Sequence, residues 1–249
     1  MTHLFFRMKI HLTDISSAEC LPLIQKYQSQ KNPKISKLTF ETSLHYLSLI
    51  SEEVANCKTE FKCSPPIRNM SNRNKLLQSM KCYEIYNVSS SQMPSSIGTK
   101  CLIGGKNRGN FIEASYGISG SLQFGLSIFW SIFEKNMSLY DLNRYMSYHP
   151  AKLCGLEKNK GIIAVGYDAD FCIWNPDESI TICKDDIFLK NKLCPYIGKT
   201  LKGKVCATVV RGCIVYDGKN QSFDAPIGNV LLKKPSKRSC RTITFETAG

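Results

Sequence analysis

The first half of the chain alternates short strand-like and helix-like segments, and this alternation limits the possible folds more than any other feature. The segments that read as strands are Leu4–Leu12, Lys37–Thr42, Glu60–Cys63 and Tyr83–Val88. Those that read as helices are Leu21–Tyr27, Ser51–Glu53 and Asn72–Met80. A long loop rich in Ser, Gly and Lys follows at 89–109. Strands separated by helices at this spacing are typical of a parallel sheet, so the first half predicts an α/β domain.

The second half changes to short strands separated by glycine turns, which predicts a small antiparallel β unit. Its predicted strands are Gly161–Ala164, Asp170–Trp174, Ser179–Ile182, Val205–Arg211 and Cys213–Tyr216. Beyond residue 232 the chain carries Lys and Arg among Pro and Ser, which predicts a disordered basic tail. The predicted domains are therefore 1–155, 156–232 and a tail at 233–249.

An uncharged segment from Ala114 to Phe133 is as long as a membrane-spanning helix. It nevertheless contains Gln123 together with several serines and glycines. Large apolar side chains recur in it at helical spacing, at Leu122, Leu126, Phe129, Trp130 and Phe133. This pattern predicts a helix of a water-soluble domain with one buried face, and no contact with a membrane.

Composition limits the function classes. The chain has 33 basic and 20 acidic residues, a formal net charge of +13, but no nucleic-acid-binding motif, so we expect a solvated basic surface rather than a nucleic-acid partner. Its twelve cysteines form no C-x-x-C pair, and its first residues do not resemble a signal peptide. We therefore expect free thiols in the reducing cytoplasm. Phosphate-binding, dinucleotide-binding and serine-hydrolase motifs are absent from the sequence.

A spaced pattern in the second half resembles the closing signature of metal-dependent amidohydrolases. It runs from Lys160-Gly161 through Ala164 and Gly166 to Asp168-Ala169-Asp170. Four further segments are similar to the allantoinase family, whose relatives are dihydroorotases and hydantoinases. They are Glu41-Thr42 with His45-Tyr46, Cys63-Ser64-Pro65-Pro66, Ile118-Ser119 with Ser121–Leu126, and Asn191-Lys192-Leu193 with Pro195-Tyr196. The similarity extends from about Ile10 to about Leu232, and covers only the later half of such an enzyme.

The resemblance implies a fold and a reaction. The fold would be the C-terminal half of a TIM-type (β/α)8 barrel, from strand five to strand eight, followed by a small β lobe. Active sites of such barrels lie at the C-terminal ends of the strands. The family reaction opens the cyclic amide allantoin to allantoate in purine catabolism, with two zinc ions that activate water. The substrate would be an allantoin-like small molecule.

The resemblance also assigns site positions. His45 corresponds to the family's metal-binding histidine at the end of strand six. Asp14 stands where the strand-five histidine is expected, and Ser91 replaces the strand-eight aspartate. His11, three residues before Asp14, would lie on the opposite face of a regular strand, as a partly buried histidine. Cys63, Ser64, Pro65, Gly117 and Ile118 correspond to segments that line the substrate pocket.

The resemblance implies six metal ligands: a His-x-His pair, a carbamylated lysine, two strand-end histidines and an aspartate. Only His45 is matched, since the sequence has no His-x-His pair, the lysine belongs to the part not covered, and Asp14 and Ser91 replace the other two. A single imidazole does not hold zinc, since catalytic zinc sites use three protein ligands. The sequence therefore predicts a truncated allantoinase-like homologue without stoichiometric zinc, inactive by itself, and a homo-oligomer or aggregate unless its open sheet edges are covered. Two alternatives stay open: a zinc-dependent amidohydrolase completed by a partner or a longer form, and a non-catalytic binding module.

Overall fold

A computed structural model describes residues 8–30 and 35–232 of the chain. The first part contains β1 (Met8–Leu12), α1 (Cys20–Ser29), β2 (Ile35–Ser43), α2 (Leu44–Ser48), α3 (Met70–Lys81) and β3 (Asn87–Ser89). The middle contains α4 (Ser121–Phe133), α5 (Leu139–Asn143) and α6 (His149–Cys154). The last part contains β4 (Phe171–Thr181), β5 (Thr200–Val210), β6 (Cys213–Asp217) and β7 (Ser222–Phe223).

The first sheet is three-stranded and parallel, in the order β1-β2-β3. Its two faces differ because side chains alternate along a strand. Phe40 and Val88 face the helices and are 1% and 5% exposed. Thr39, Glu41 and Asn87 lie on the other face and form a polar layer joined by side-chain contacts to His11 and to each other. The predicted parallel sheet is confirmed.

Local sequence explains where the helices begin and end. The Asn69 side chain accepts a hydrogen bond from the Asn72 backbone amide at 2.9 Å, which caps α3. Ser138 and Asp141 form a reciprocal capping box at the start of α5. Helix α6 ends at Gly155, whose φ of 74° is the left-handed conformation that glycine adopts most readily.

Helix α4 joins the parallel sheet to the antiparallel sheet. Its Phe129 and Phe133 are buried in the core, at 0% and 1% exposure. Its Trp130 ring packs edge-to-face against Trp174 of β4, with 5.2 Å between centroids. A side chain at Gly203 of β5 would come within 3.0 Å of the Trp174 ring, so glycine permits this close packing. No helix in the described ranges is long and apolar enough to cross a membrane.

The second sheet is antiparallel, in the order β4-β5-β6-β7, as the glycine-punctuated pattern predicts. The amidohydrolase-like signature forms ion pairs in the segment that leads into β4. Lys160 Nζ lies 2.8 Å from Asp168 Oδ2 and also contacts the Asp170 carboxylate. Asp170 Oδ1 accepts a hydrogen bond from the Arg211 backbone amide at 2.9 Å, which connects β4 to the turn after β5.

Several sequence-based element predictions are wrong in detail. The predicted strand at Glu60–Cys63 overlaps a 3-10 helix, Thr59–Phe61, and two prolines follow closely and disfavour strand pairing. Of the predicted strand Tyr83–Val88, only Asn87 and Val88 belong to a strand, the short β3. Gly161–Ala164 is a loop, and the segments Asp170–Trp174 and Ser179–Ile182 belong to one strand, β4.

Three other details differ or fall outside the described residues. Leu122, expected on the buried face of α4, is 67% exposed because it lies in the first turn, beyond the contact with the core. The sequence pattern did not indicate the helical segment 139–154. Residues 4–7 of the first predicted strand and the basic tail at 233–249 lie outside the described residues.

Candidate functional site

Three polar residues meet at the carboxyl ends of the three parallel strands. Asp14, His45 and Ser91 each follow a strand by two residues, after β1, β2 and β3 respectively. The carboxyl ends of adjacent parallel strands share one edge of the sheet, which explains why residues distant in sequence meet there. The structure thus brings together the three strand-end positions, Asp14, His45 and Ser91, that the sequence analysis compared with the family's metal ligands.

Asp14 and Ser91 form a direct pair. The Ser91 hydroxyl donates a hydrogen bond to Asp14 Oδ2 at 3.0 Å, whereas Asp14 Oδ1 is buried without a partner. Both residues have left-handed backbones, with φ of 54° for Asp14 and 44° for Ser91. Burial raises the pKa of the Asp14 carboxyl group, the Ser91 hydroxyl opposes this rise, and the nearby Glu41 carboxylate adds to it.

His45 is enclosed in the core at 2% exposure, and protein groups engage both ring nitrogens. Nδ1 lies 3.0 Å from the Tyr196 hydroxyl, which is also 3.0 Å from Ser48 Oγ. Nε2 lies 3.4 Å from both the Ser91 carbonyl oxygen and Ser121 Oγ. Burial lowers the pKa of His45 to about 4, so the ring is neutral near pH 7.

His11 belongs to the polar layer of the sheet. Its Nδ1 lies 2.8 Å from Thr39 Oγ1, and its Nε2 lies 3.2 Å from Glu41 Oε2. Glu41 also accepts a hydrogen bond from the Asn87 side-chain amide. The histidine is half-buried, as the sequence analysis expected, and its contacts place it beside the neighbouring strand rather than at the strand ends.

The two predicted substrate-pocket segments lie next to each other around a buried lysine. The Gly117 backbone amide donates to the Lys62 carbonyl, next to Cys63, at 2.9 Å. Lys100, which is 2% exposed, donates from Nζ to the same Lys62 carbonyl at 2.9 Å and to the Gly117 carbonyl. Burial lowers the pKa of Lys100 to about 8.

The remaining pocket candidates differ in their surroundings. Ser64 and Pro65 are exposed, and the Pro65 carbonyl accepts a hydrogen bond from the Tyr46 hydroxyl at 2.8 Å. Burial raises the pKa of the Cys63 thiol, so it remains protonated. Ile118 is 1% exposed and its side chain belongs to the core, while its carbonyl accepts a hydrogen bond from the Met93 backbone amide at 2.9 Å.

The described residues do not fit a two-zinc centre. In ranges 8–30 and 35–232, no group of three or more His, Cys, Asp and Glu side chains is arranged to hold a metal ion. Protein groups already engage both nitrogens of His45, and Ser91 supplies a hydroxyl where the family pattern has a carboxylate. A neutral hydroxyl is a poor zinc ligand, so this set of side chains lacks the donors that such a centre needs.

Three residues that support the site were not selected from the sequence: Tyr196, Ser121 and Lys100. Tyr196 and Ser121 lie within segments that carried the family resemblance, but that pattern did not indicate contact with His45. Lys100 lies in an irregular loop rich in Ser and Gly, where no periodicity signals burial.

The chain is similar to curated allantoinases. The chain is 34% identical to allantoinase from Saccharomyces cerevisiae over 223 residues, which cover 90% of this chain and 46% of the relative. It is 38% identical to allantoinase from Arabidopsis thaliana over 217 residues, which cover 86% of this chain and 40% of the relative. The chain therefore spans a little less than half the length of these curated relatives.

Solved structures show the same fold. A D-hydantoinase (dihydropyrimidinase) from Thermus sp. superimposes with a TM-score of 0.76 at 20% identity, over 86% of this chain and 46% of that one. An L-hydantoinase (dihydropyrimidinase) from Arthrobacter aurescens superimposes with a TM-score of 0.75 at 23% identity, over 90% of this chain and 46% of that one. The family model described as "Amidohydrolase family" matches residues 1–215. With this match over most of its length, the chain belongs to the amidohydrolase family.

Proposed function

We propose that this chain is an allantoinase-like hydrolase homologue whose functional site lies at the carboxyl ends of β1, β2 and β3. The observation that carries the proposal is the convergence of Asp14, His45 and Ser91 at that edge of the sheet. The corresponding reaction adds water across an amide C–N bond of allantoin, so that the ring opens to allantoate. Similarity to the two allantoinases supports this substrate class.

We further propose that the chain by itself does not catalyse this hydrolysis. Ring opening requires an activated water and a group that accepts and returns its proton. Ser91 is neutral and does neither at pH 7, and the ring of His45 is enclosed by protein groups. Asp14 offers one unpartnered carboxylate oxygen, and a single carboxylate without an activated water beside it does not supply both functions.

Activity of the purified chain tests the proposal. Allantoin is supplied with and without added zinc, and allantoate is measured over time. We expect no allantoate above the rate without protein, and no gain from the double variant Asp14→His with Ser91→Asp. Zinc-dependent allantoate formation that disappears in His45→Ala but persists in Leu23→Ala, an exposed position on α1, would contradict the proposal.

A further inference from the structure

A cavity of about 270 Å³ lies between α2, α3, α4 and the start of β5. Its aliphatic wall consists of Leu47, Leu77, Ile128, Ile132 and Leu201. At about 30 Å³ per water molecule, the volume corresponds to about nine waters, which is room for a ligand of about nine non-hydrogen atoms. Asp14, His45 and Ser91 do not line it, so the cavity is separate from the candidate site.

The two charged residues that line the cavity are both cationic. Arg73 lies in the first turn of α3, and Lys199 directly precedes β5. Arg73 Nε is buried and has no hydrogen-bond partner among the described residues, and the guanidinium group contacts only the neighbouring Asn74 Oδ1 there, at 3.4 Å. Lys199 Nζ lies 3.5 Å from Glu53 Oε2, and both of these side chains are exposed. Exposed ion pairs contribute little free energy, so Lys199 remains available to another anion.

The acidic residues near Arg73 do not neutralise it. In the part of the chain that the structure describes, no carboxylate forms an ion pair with its guanidinium group. Glu52 Oε1 accepts a hydrogen bond from the Met70 backbone amide at 3.0 Å, and this bond lowers the pKa of Glu52 more than the charge of Arg73 does. Most N–H donors of Arg73 are therefore free to bind a ligand.

The hydroxyl groups of the lining already have protein partners. Ser48 Oγ lies 3.0 Å from the Tyr196 hydroxyl, which also contacts His45. Ser131 Oγ donates a hydrogen bond to the Ser127 carbonyl at 2.7 Å. Recognition of a ligand therefore falls to the two cations, which select for negative charge, and to the aliphatic wall, which selects for an apolar group.

We propose that this cavity binds a short-chain aliphatic monocarboxylate, with the carboxylate at Arg73 and Lys199 and the chain against the aliphatic wall. A guanidinium group matches a carboxylate because its N–H groups donate parallel hydrogen bonds to the two oxygens. An inorganic anion such as phosphate would bring the charge but leave the aliphatic wall in contact with water. The inference goes beyond the proposed function, in which Arg73 and Lys199 take no part.

Titration of the full chain with hexanoate tests the proposal. We expect saturable one-to-one binding in calorimetry with a Kd of about 1 mM or below, the range for a ligand of about eight non-hydrogen atoms. Acetate and phosphate carry negative charge without the chain, and 1-hexanol carries the chain without the charge. Each is expected to bind at least about tenfold more weakly than hexanoate. Nuclear Overhauser contacts from the hexanoate methyl group to Leu77 and Ile132 are expected to locate the chain.

Variants identify the groups that hold the carboxylate. Arg73→Gln is expected to weaken hexanoate binding at least about tenfold, because it removes the charged donors of the cavity. Lys199→Gln is expected to weaken binding by about threefold, since this side chain is more exposed to water. Lys75→Gln changes an exposed lysine of the same helix α3 outside the lining, so this matched control is expected to bind hexanoate normally. Circular dichroism verifies that the variants remain folded.

The outcomes are independent of catalysis, because binding is measured without activity. Hexanoate binding that requires both charge and chain, and that weakens in Arg73→Gln but not in Lys75→Gln, supports the inference. Absence of saturable binding overturns it. Equal binding of 1-hexanol also overturns it, since the cations would then take no part, and so does equal binding of acetate or phosphate, since the aliphatic wall would then take no part. The comparison of ligands on the unmodified chain decides the question even where a variant unfolds.

Discussion

Burial controls the chemistry of individual residues at the candidate site, and His45 shows this most directly. The pKa of His45 is about 4 in the folded chain, below the ordinary 6.5, so between these pH values the unfolded chain binds more protons. The free energy of unfolding therefore has its full contribution from His45 above pH 6.5. That contribution, about 3 kcal/mol, is lost as the pH falls toward 4. The pH dependence contributed by Asp14 has the opposite sign: because its pKa is raised in the folded chain, its contribution to stability is present at low pH and is lost as the pH rises.

We therefore expect the free energy of unfolding to fall between pH 6.5 and 4 in the wild type, and to fall less steeply in His45→Asn. Urea titrations at several pH values measure this difference. Titration of the ring signals by NMR checks the assignment directly. A His45 ring that titrates near pH 6.5 would show that the ring is solvated and that the enclosed site is incorrect.

Tyr196 is expected to hold His45 in place, because its hydroxyl contacts both His45 Nδ1 and Ser48 Oγ. Tyr196→Phe removes these hydrogen bonds within a fully buried site and should destabilise the chain by about 1–3 kcal/mol. Tyr27→Phe, at a position that is 58% exposed, is the control and should change stability by less than about 0.5 kcal/mol. Equal effects of the two variants in chemical denaturation would refute a specific role for Tyr196.

At the scale of elements, the long loop between β3 and α4 is ordered by a buried amine rather than by regular secondary structure. Lys100 connects the Lys62 and Gly117 carbonyls, and its own carbonyl accepts a hydrogen bond from Thr59. This arrangement brings the Cys63 and Gly117 segments together at one side of the site. We therefore expect Lys100 to contribute to the stability of this loop, together with the backbone hydrogen bonds within it.

Lys100→Met keeps the length of the side chain but leaves both carbonyls without their donor. We expect a loss of about 1–3 kcal/mol in unfolding free energy and faster proteolysis within the loop. Lys106→Met alters an exposed lysine of the same loop and should leave both measurements unchanged. Slow proteolysis in Lys100→Met would show that the loop is held by other contacts.

At the scale of the whole molecule, the side chains available to bind a metal ion predict the metal content of the chain. We expect the purified chain to contain no stoichiometric zinc by elemental analysis, and its melting temperature to be insensitive to a chelator. The reason is that His45 has protein partners at both nitrogens and that no cluster of ligands surrounds it in the described residues. About two metal ions per chain, the content of a two-metal site, would contradict this expectation.

The sequence alone indicated the parallel sheet and the antiparallel unit, because local periodicity and glycine turns depend on neighbouring residues. The family and the strand-end positions Asp14, His45 and Ser91 came from the resemblance of its motifs to allantoinases. The enclosure of His45 by Tyr196, the burial of Lys100 and the exposure of Leu122 required the three-dimensional structure. Each depends on contacts between residues far apart in sequence, or on where the end of a helix lies relative to the core. A local sequence pattern does not indicate which distant side chain will cover a given group.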